Sequence, residues 1–287
     1  MRRDRVWCLS EAGFHRMAYV EWRPQGRGAE GAAPTVICVH GLTRTGRDFD
    51  LLAADLAAAG LRVVCPDVVG RGMSDWLVDP AAYGYPQYMA DMTVLIARTG
   101  AEVIDWVGTS MGGLIGMMLA AQPDTPIRRL VLNDVGPFIP AAALARIADY
   151  VGGDPRFDDM AAAESYIRKV HASFGPLRDA HWRHLTATSI RTAEDGSLRL
   201  HYDPAIARPF RDRAPEDVDL WTVWDAIRCP VLVLRGAESD LLRPDTAAEM
   251  TRRGPRARVV EIPDAGHAPA LMDRGQIAVV RDWLTTA

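Results

Sequence analysis

The chain has 287 residues, 48% of them hydrophobic and 24% charged, with a net charge of −4 at pH 7. That length can bury the core of one α/β domain carrying an insertion, or of two small domains. The negative balance speaks against a surface built for nucleic acid or anionic lipid, and no apolar run approaches the roughly 18 residues needed to span a bilayer.

Two basic clusters, Arg2-Arg3-Asp4-Arg5 and Arg252-Arg253-Gly254-Pro255-Arg256, read as solvated surface. The N-terminal charges are followed by no apolar segment of the kind a secretory signal carries, so a cytoplasmic location is expected. Cys8, Cys38, Cys65 and Cys229 lack metal-binding spacing. Cys38 and Cys65 fall inside apolar runs, as buried free thiols do, and no metal is expected.

Strand character begins at about Gly13 to Trp22, followed by a Gly/Ala-rich turn over Gly26 to Pro34. Thr35 to His40 is a short, nearly continuous apolar run, the pattern of a strand covered on both faces. Asp48 to Ala59 is an amphipathic helix with Phe49, Leu52, Leu56 and Ala59 on one stripe. A strand over Leu61 to Pro66, a helix over Tyr88 to Thr99, and strands over Val103 to Val107 and Arg129 to Asn133 continue the alternation. It predicts a parallel sheet with helices on both faces. From about Phe138 to Asp225 the buried-strand runs stop and helical spacing takes over, as in Tyr166, Val170 and Phe174. Asp195-Gly196 marks a turn before the alternating Leu198, Leu200 and Tyr202. The α/β pattern resumes at Cys229 to Arg235 and closes with a strand over Ala257 to Ile262 and a helix over Gln276 to Leu284.

Gly108-Thr109-Ser110-Met111-Gly112 stands where a strand turns sharply into a helix. Gly-x-Ser-x-Gly in that context is a nucleophile elbow, with the hydroxyl of Ser110 exposed at the turn. A serine hydroxyl needs an imidazole to take its proton and a carboxylate to orient that imidazole. His267, in Asp264-Ala265-Gly266-His267-Ala268-Pro269, follows the last strand and is the expected base. His40, with Gly41, is expected to support the turn after its own strand. For the acid, Asp240 in Arg235-Gly236-Ala237-Glu238-Ser239-Asp240 is favoured. Asp134, at the end of an earlier strand, is the alternative, with turn formation in Asn133-Asp134-Val135-Gly136-Pro137 as its plainer role. Glu238 is a weaker candidate. The backbone N–H groups of Met111 and Leu42 are expected to form the oxyanion hole, each worth about 3 kcal/mol in the transition state.

With these segments the chain resembles the α/β-hydrolase family. The match rests on His40-Gly41, the Asp67-Val68-Val69-Gly70-Arg71-Gly72-Met73-Ser74 turn, the Ser110 elbow, Gly236 to Asp240, and Gly266-His267. The resemblance implies a mostly parallel eight-stranded sheet with helices on both faces, formed by residues 1–137 and 226–287, and a mainly helical cap over 138–225. It makes Asp67, Gly70, Gly72 and Ser74 structural turn residues. Of the cap's aromatic side chains, most are expected to pack the insertion and a minority to line an apolar pocket.

The expected activity is hydrolysis of small to medium apolar acyl or hydroxyacid esters without a cofactor. The elbow and the Asn133 to Pro137 segment look similar to bacterial hydrolases of short polyesters or hydroxybutyrate oligomers. Thioesterase, lactonase, C–C bond hydrolase and cofactor-free haloperoxidase chemistry share the same triad, and a ligand-binding receptor with vestigial hydrolysis is the reading from another class. A small-molecule ester is the expected partner; a homodimer is an open arrangement.

Overall fold

The computed structural model describes residues 1–24, 33–211 and 214–286. Eight strands make the central sheet: β1 (Arg2–Ser10), β2 (Gly13–Trp22), β3 (Thr35–Val39), β4 (Arg62–Pro66), β5 (Ile104–Thr109), β6 (Ile127–Asn133), β7 (Val231–Gly236) and β8 (Arg258–Ile262). Their spatial order is β1-β2-β4-β3-β5-β6-β7-β8. The β1–β2 and β2–β4 pairs are antiparallel and all others parallel. The eight-stranded, mostly parallel sheet expected from the family resemblance is therefore present.

The expected turn over Gly26 to Pro34 lies mostly outside the described residues. The first strand was not legible in the sequence. β1 carries Trp7 and Leu9 on its solvent side and buries Cys8; with large apolar residues facing out, its alternation does not read as one wet and one dry face.

Helices cover both faces of the sheet. On one side α1 (Asp50–Ala58) and α9 (Arg274–Thr285) set Leu52, Leu56, Ile277, Val280 and Leu284 against Val36, Cys38, Val63, Val107 and Leu232. On the other, α2 (Tyr85–Thr99), α3 (Met111–Ala120) and α8 (Pro244–Met250) pack onto Ile37, Val39, Trp106, Leu130 and Val233. Neighbours such as Val36 and Ile37 go to opposite cores, as the period of two in a strand requires. The helix α3 is apolar on all sides because it is buried on all sides. Elsewhere the stops are local. The helix α2 begins with Pro86 in its first turn and ends at Gly100 in the left-handed region, while Asp273 caps α9 by accepting from the Gly275 N–H at 2.7 Å.

Between β6 and β7 the chain forms α4 (Ala141–Ala148), α5 (Met160–Val170), α6 (Asp179–Ser189), a small hairpin of Ile190–Thr192 with Leu198–Leu200, and α7 (Trp221–Ala226). The two ends of this segment are stitched together by an antiparallel pair, Phe138–Ile139 with Val218–Asp219. Trp182, Tyr202 and Trp224 are buried here, which accounts for part of its aromatic content as packing.

The strand register is what positions a site. Val39 pairs with Gly108, Thr109 with Asn133, Asn133 with Leu234, and Gly236 with Ile262. The carboxyl ends of five adjacent parallel strands thus finish level, and the loops leaving them converge along one edge.

Candidate active site

Ser110 leaves β5 with φ 52° and ψ −117°, a left-handed backbone that a non-glycine residue adopts only where its surroundings force it. The forcing contacts are close. A Cβ on Gly112 would lie 2.0 Å from the Val39 carbonyl oxygen, and one on Gly108 would lie 2.3 Å from the Gly112 carbonyl oxygen. Only glycine lets strand, turn and helix approach this closely.

His267 follows β8 and reaches back over the turn. Its Nε2 is 2.9 Å from Ser110 Oγ, and its Nδ1 is 2.8 Å from Asp134 Oδ2. A buried carboxylate beside Nδ1 only accepts, so Nδ1 carries the proton and Nε2 presents a lone pair to the serine hydroxyl. The imidazole side chain is 8% exposed and the Asp134 side chain fully buried.

The acid in contact with the imidazole is therefore Asp134, and the expectation for Asp240 is corrected. Asp134 is the first residue after β6, the strand beside β5. Its own N–H is donated to the Leu234 carbonyl at 2.8 Å. Its Oδ1 accepts from the Gly236 N–H at 2.7 Å, and its Oδ2 accepts from Ser239 Oγ at 2.6 Å as well as from His267. Asp240 lies four residues beyond the end of β7, far enough to swing outward. Arg146 of α4 donates to both its oxygens at 2.6 and 2.8 Å, in a half-exposed pair. Burial acts to raise the Asp240 carboxyl, but the Arg146 guanidinium prevails and holds it below its ordinary value. Glu238 makes no side-chain bond to the imidazole.

Ser239 is a residue that sequence reasoning missed. Its hydroxyl donates to Asp134 and accepts from the Leu242 N–H at 3.0 Å, which fixes the carboxylate. Ser173 is another. Its hydroxyl donates to the His267 carbonyl at 2.5 Å, and its own carbonyl accepts from the Gly266 N–H at 2.8 Å. Both are small polar residues with no motif of their own; the position of Ser239 a few residues past a strand end was the available signal.

The loop after β3 passes close to the serine: a Cβ on Gly41 would sit 3.7 Å from Ser110 Cβ. The Leu42 N–H in this loop has no backbone acceptor among the described residues. Met111 is the first residue of α3, so its N–H has no acceptor within the helix. The Leu42 loop thus passes beside Ser110, and Met111 follows Ser110 at the positive end of a helix.

His40 supports this loop. Its Nδ1–H donates to the Gly41 carbonyl at 2.7 Å, and its Nε2 accepts from the Val68 N–H at 2.9 Å. Complete burial, together with the Arg71 and Arg44 charges, pushes it down to about 4, and only the Gly41 carbonyl works strongly against this. Between pH 4 and 6.5 the unfolded chain binds a proton here that the folded chain refuses. Stability from this group is therefore complete above about 6.5 and is lost as pH falls toward 4. The whole effect is on the order of 3 kcal/mol. Asp67, buried in the next turn and pushed up to about 6, has the opposite slope. Urea midpoints measured from pH 4 to 7 should rise less with pH in His40→Gln than in wild type; parallel curves would dismiss this account.

A cavity of about 10 Å³ lies between the loop after β3 and the insertion, lined by Arg44, Tyr150, Tyr166, His171 and Tyr202 among others. Arg44 donates to both oxygens of Asp48, at 2.8 and 2.7 Å, and stands 3.3 Å from His171 Nε2. Burial, with the Arg44 guanidinium beside it, drives His171 well below its ordinary value, so it is neutral. Among the described residues no helix is long and apolar enough to cross a membrane.

Comparison with known proteins places the chain in a family. The pattern of the alpha/beta hydrolase family matches residues 36–281. The chain is 49% identical to 3-hydroxybutyrate-oligomer hydrolase of Cupriavidus necator, over 98% of this chain and 97% of that one. It is 30% identical to an esterase of Mycobacterium tuberculosis, over 89% of this chain and 84% of that one. The crystal structure of an alpha/beta hydrolase from Novosphingobium aromaticivorans superposes with a TM-score of 0.84 at 36% identity, covering 97% of this chain and 96% of that one. On this evidence the chain belongs to the alpha/beta hydrolase family.

Proposed function

We propose that this protein is a cofactor-free serine hydrolase of carboxylic esters, with Ser110 as nucleophile, His267 as general base and acid, and Asp134 as the orienting carboxylate. The observation that carries the reading is the unbroken chain from Ser110 Oγ through His267 to Asp134, at 2.9 and 2.8 Å.

In acylation, Ser110 Oγ attacks the ester carbonyl while Nε2 takes its proton. The carbonyl oxygen gains the negative charge and settles between the N–H groups of Leu42 and Met111. Asp134 stabilises the imidazolium that forms. The tetrahedral carbon then expels the alcohol, which leaves with the proton from Nε2. In deacylation, water attacks the acyl carbon as Nε2 takes its proton; the second tetrahedral intermediate then expels Ser110 Oγ, which recovers that proton from Nε2, and the acid is released. Residues 138–225 act as the cap that excludes bulk water from these steps.

For the substrate we propose esters of short hydroxyacid oligomers. The Cupriavidus relative, 49% identical over nearly the whole of both chains, is named for that class. The test is a panel of 3-hydroxybutyrate dimer and trimer, p-nitrophenyl butyrate, a lactone and a thioester, together with labelling by a fluorophosphonate. Labelling at Ser110 and preference for the oligomers are expected. Preference for lactone or thioester would overturn the substrate class; tight ligand binding with no labelling and no turnover would overturn the enzyme reading.

A further inference from the structure

Arg71, in the turn after β4, is fully buried, yet among the described residues it hydrogen-bonds to no carboxylate. Its Nε donates to the Leu42 carbonyl at 2.9 Å, and its Nη1 to the Val69 carbonyl at 2.7 Å and the Tyr88 hydroxyl at 3.0 Å. Its Nη2 rests only against Met111 Sδ, at 3.6 Å. The guanidinium also lies over the Tyr88 and Tyr83 rings, at 5.1 and 5.8 Å. A buried cation without an anion is costly to keep. Dipoles and aromatic faces compensate only part of that cost.

Outside its own turn, the Arg71 side chain hydrogen-bonds among the described residues to Leu42, Tyr88 and Met111, and two of these, Leu42 and Met111, flank Ser110. These two are the residues whose N–H groups face the developing oxyanion in the mechanism above. We propose that Arg71 is the positioning residue of the oxyanion hole, holding the Leu42 carbonyl and the Met111 side chain on one guanidinium that has no carboxylate partner among the described residues. The Leu42 carbonyl and N–H flank the same Cα, so holding the carbonyl limits how far the N–H can swing. Gly41, immediately before it, offers no side chain to do so. The charge adds a field that strengthens as the carbonyl oxygen becomes negative, in a site where little water screens it. Among the described residues no carboxylate pairs with it in the resting protein; the tetrahedral intermediate brings an anion to the neighbouring donors. Lysine has one compact donor group and could not reach the Leu42 carbonyl, the Val69 carbonyl and the Met111 sulfur together.

The inference rests on the proposed triad, and the test separates the two. Arg71→Met and Arg71→Lys would be compared with wild type for kcat and KM on p-nitrophenyl butyrate, for the rate of fluorophosphonate labelling, and for inhibition by an alkylboronic acid. In Arg71→Met, kcat and labelling rate are expected to fall about 10²-fold or more, the range for loss of one oxyanion donor. KM should change less than about threefold, and boronate affinity should fall in step with kcat. Arg71→Lys, which keeps charge and bulk should the methionine variant fail to fold, should fall at least roughly tenfold with its melting temperature little changed. Either folded variant with wild-type kcat and boronate affinity would overturn the inference and leave the triad standing. Wild-type protein unlabelled at Ser110 would overturn the triad and the inference with it.

Discussion

Ser110→Ala should abolish all but a trace of activity, lowering kcat by roughly 10⁴- to 10⁶-fold, and His267→Ala should cost about as much. The two act as one unit. Without the oxygen there is no acyl-enzyme, and without the imidazole the oxygen keeps its proton at neutral pH. The double variant should be no worse than either single one by more than a few fold, because each removes the same covalent route. The serine site tolerates the change structurally. Ser110 offers Oγ to a partner only through His267, and alanine adds no atom to the tight turn. Steady-state kinetics with confirmed folding by circular dichroism checks this. A Ser110→Ala protein keeping a tenth of wild-type activity would rule out the serine as nucleophile.

The second large effect separates two aspartates that simple chain order cannot. Asp134→Asn should lower kcat by about 10⁴-fold near neutral pH, since an amide facing Nδ1 allows the wrong tautomer and no longer offsets the imidazolium charge. It also leaves the Gly236 N–H and the Ser239 hydroxyl facing a weaker acceptor, so some loss of stability is expected. Asp240→Asn breaks a half-exposed pair with Arg146, a contact worth at most about 1 kcal/mol. Its kcat should stay within a few fold of wild type. Kinetics of the two variants side by side decide the matter, and equal losses would restore Asp240 to the mechanism.

Much of this was legible in the sequence, for reasons that also explain the gaps. Strands buried on both faces, such as Thr35–Val39 and Val231–Gly236, announce themselves as apolar runs. The serine and histidine are marked by glycines, because the backbone there must come close to its neighbours. The acid is marked by nothing comparable. Asp134 and Asp240 both fall between Ser110 and His267 in the chain and both follow a buried strand. What selects Asp134 is lateral: it leaves the strand next to Ser110, and Gly236 and Ser239 from the far neighbour converge on it. Sheet order is a tertiary fact, and single-chain pattern does not carry it. Arg71 was invisible for a related reason. In sequence it is an unremarked position inside a glycine-rich turn; its meaning comes from the Leu42 carbonyl and Met111 sulfur that folding brings to it.

The grip of Ser173 on residues 266 and 267 bears on how ligands come and go. Lifting that stretch outward would break two hydrogen bonds and drag the backbone of the imidazole with it. A protein parted along this line would be briefly inert, its proton acceptor out of register while solvent floods in. Traffic through some other part of the seam would leave the machinery assembled throughout each cycle, and the firmness of this one hinge point would then set which way the door swings.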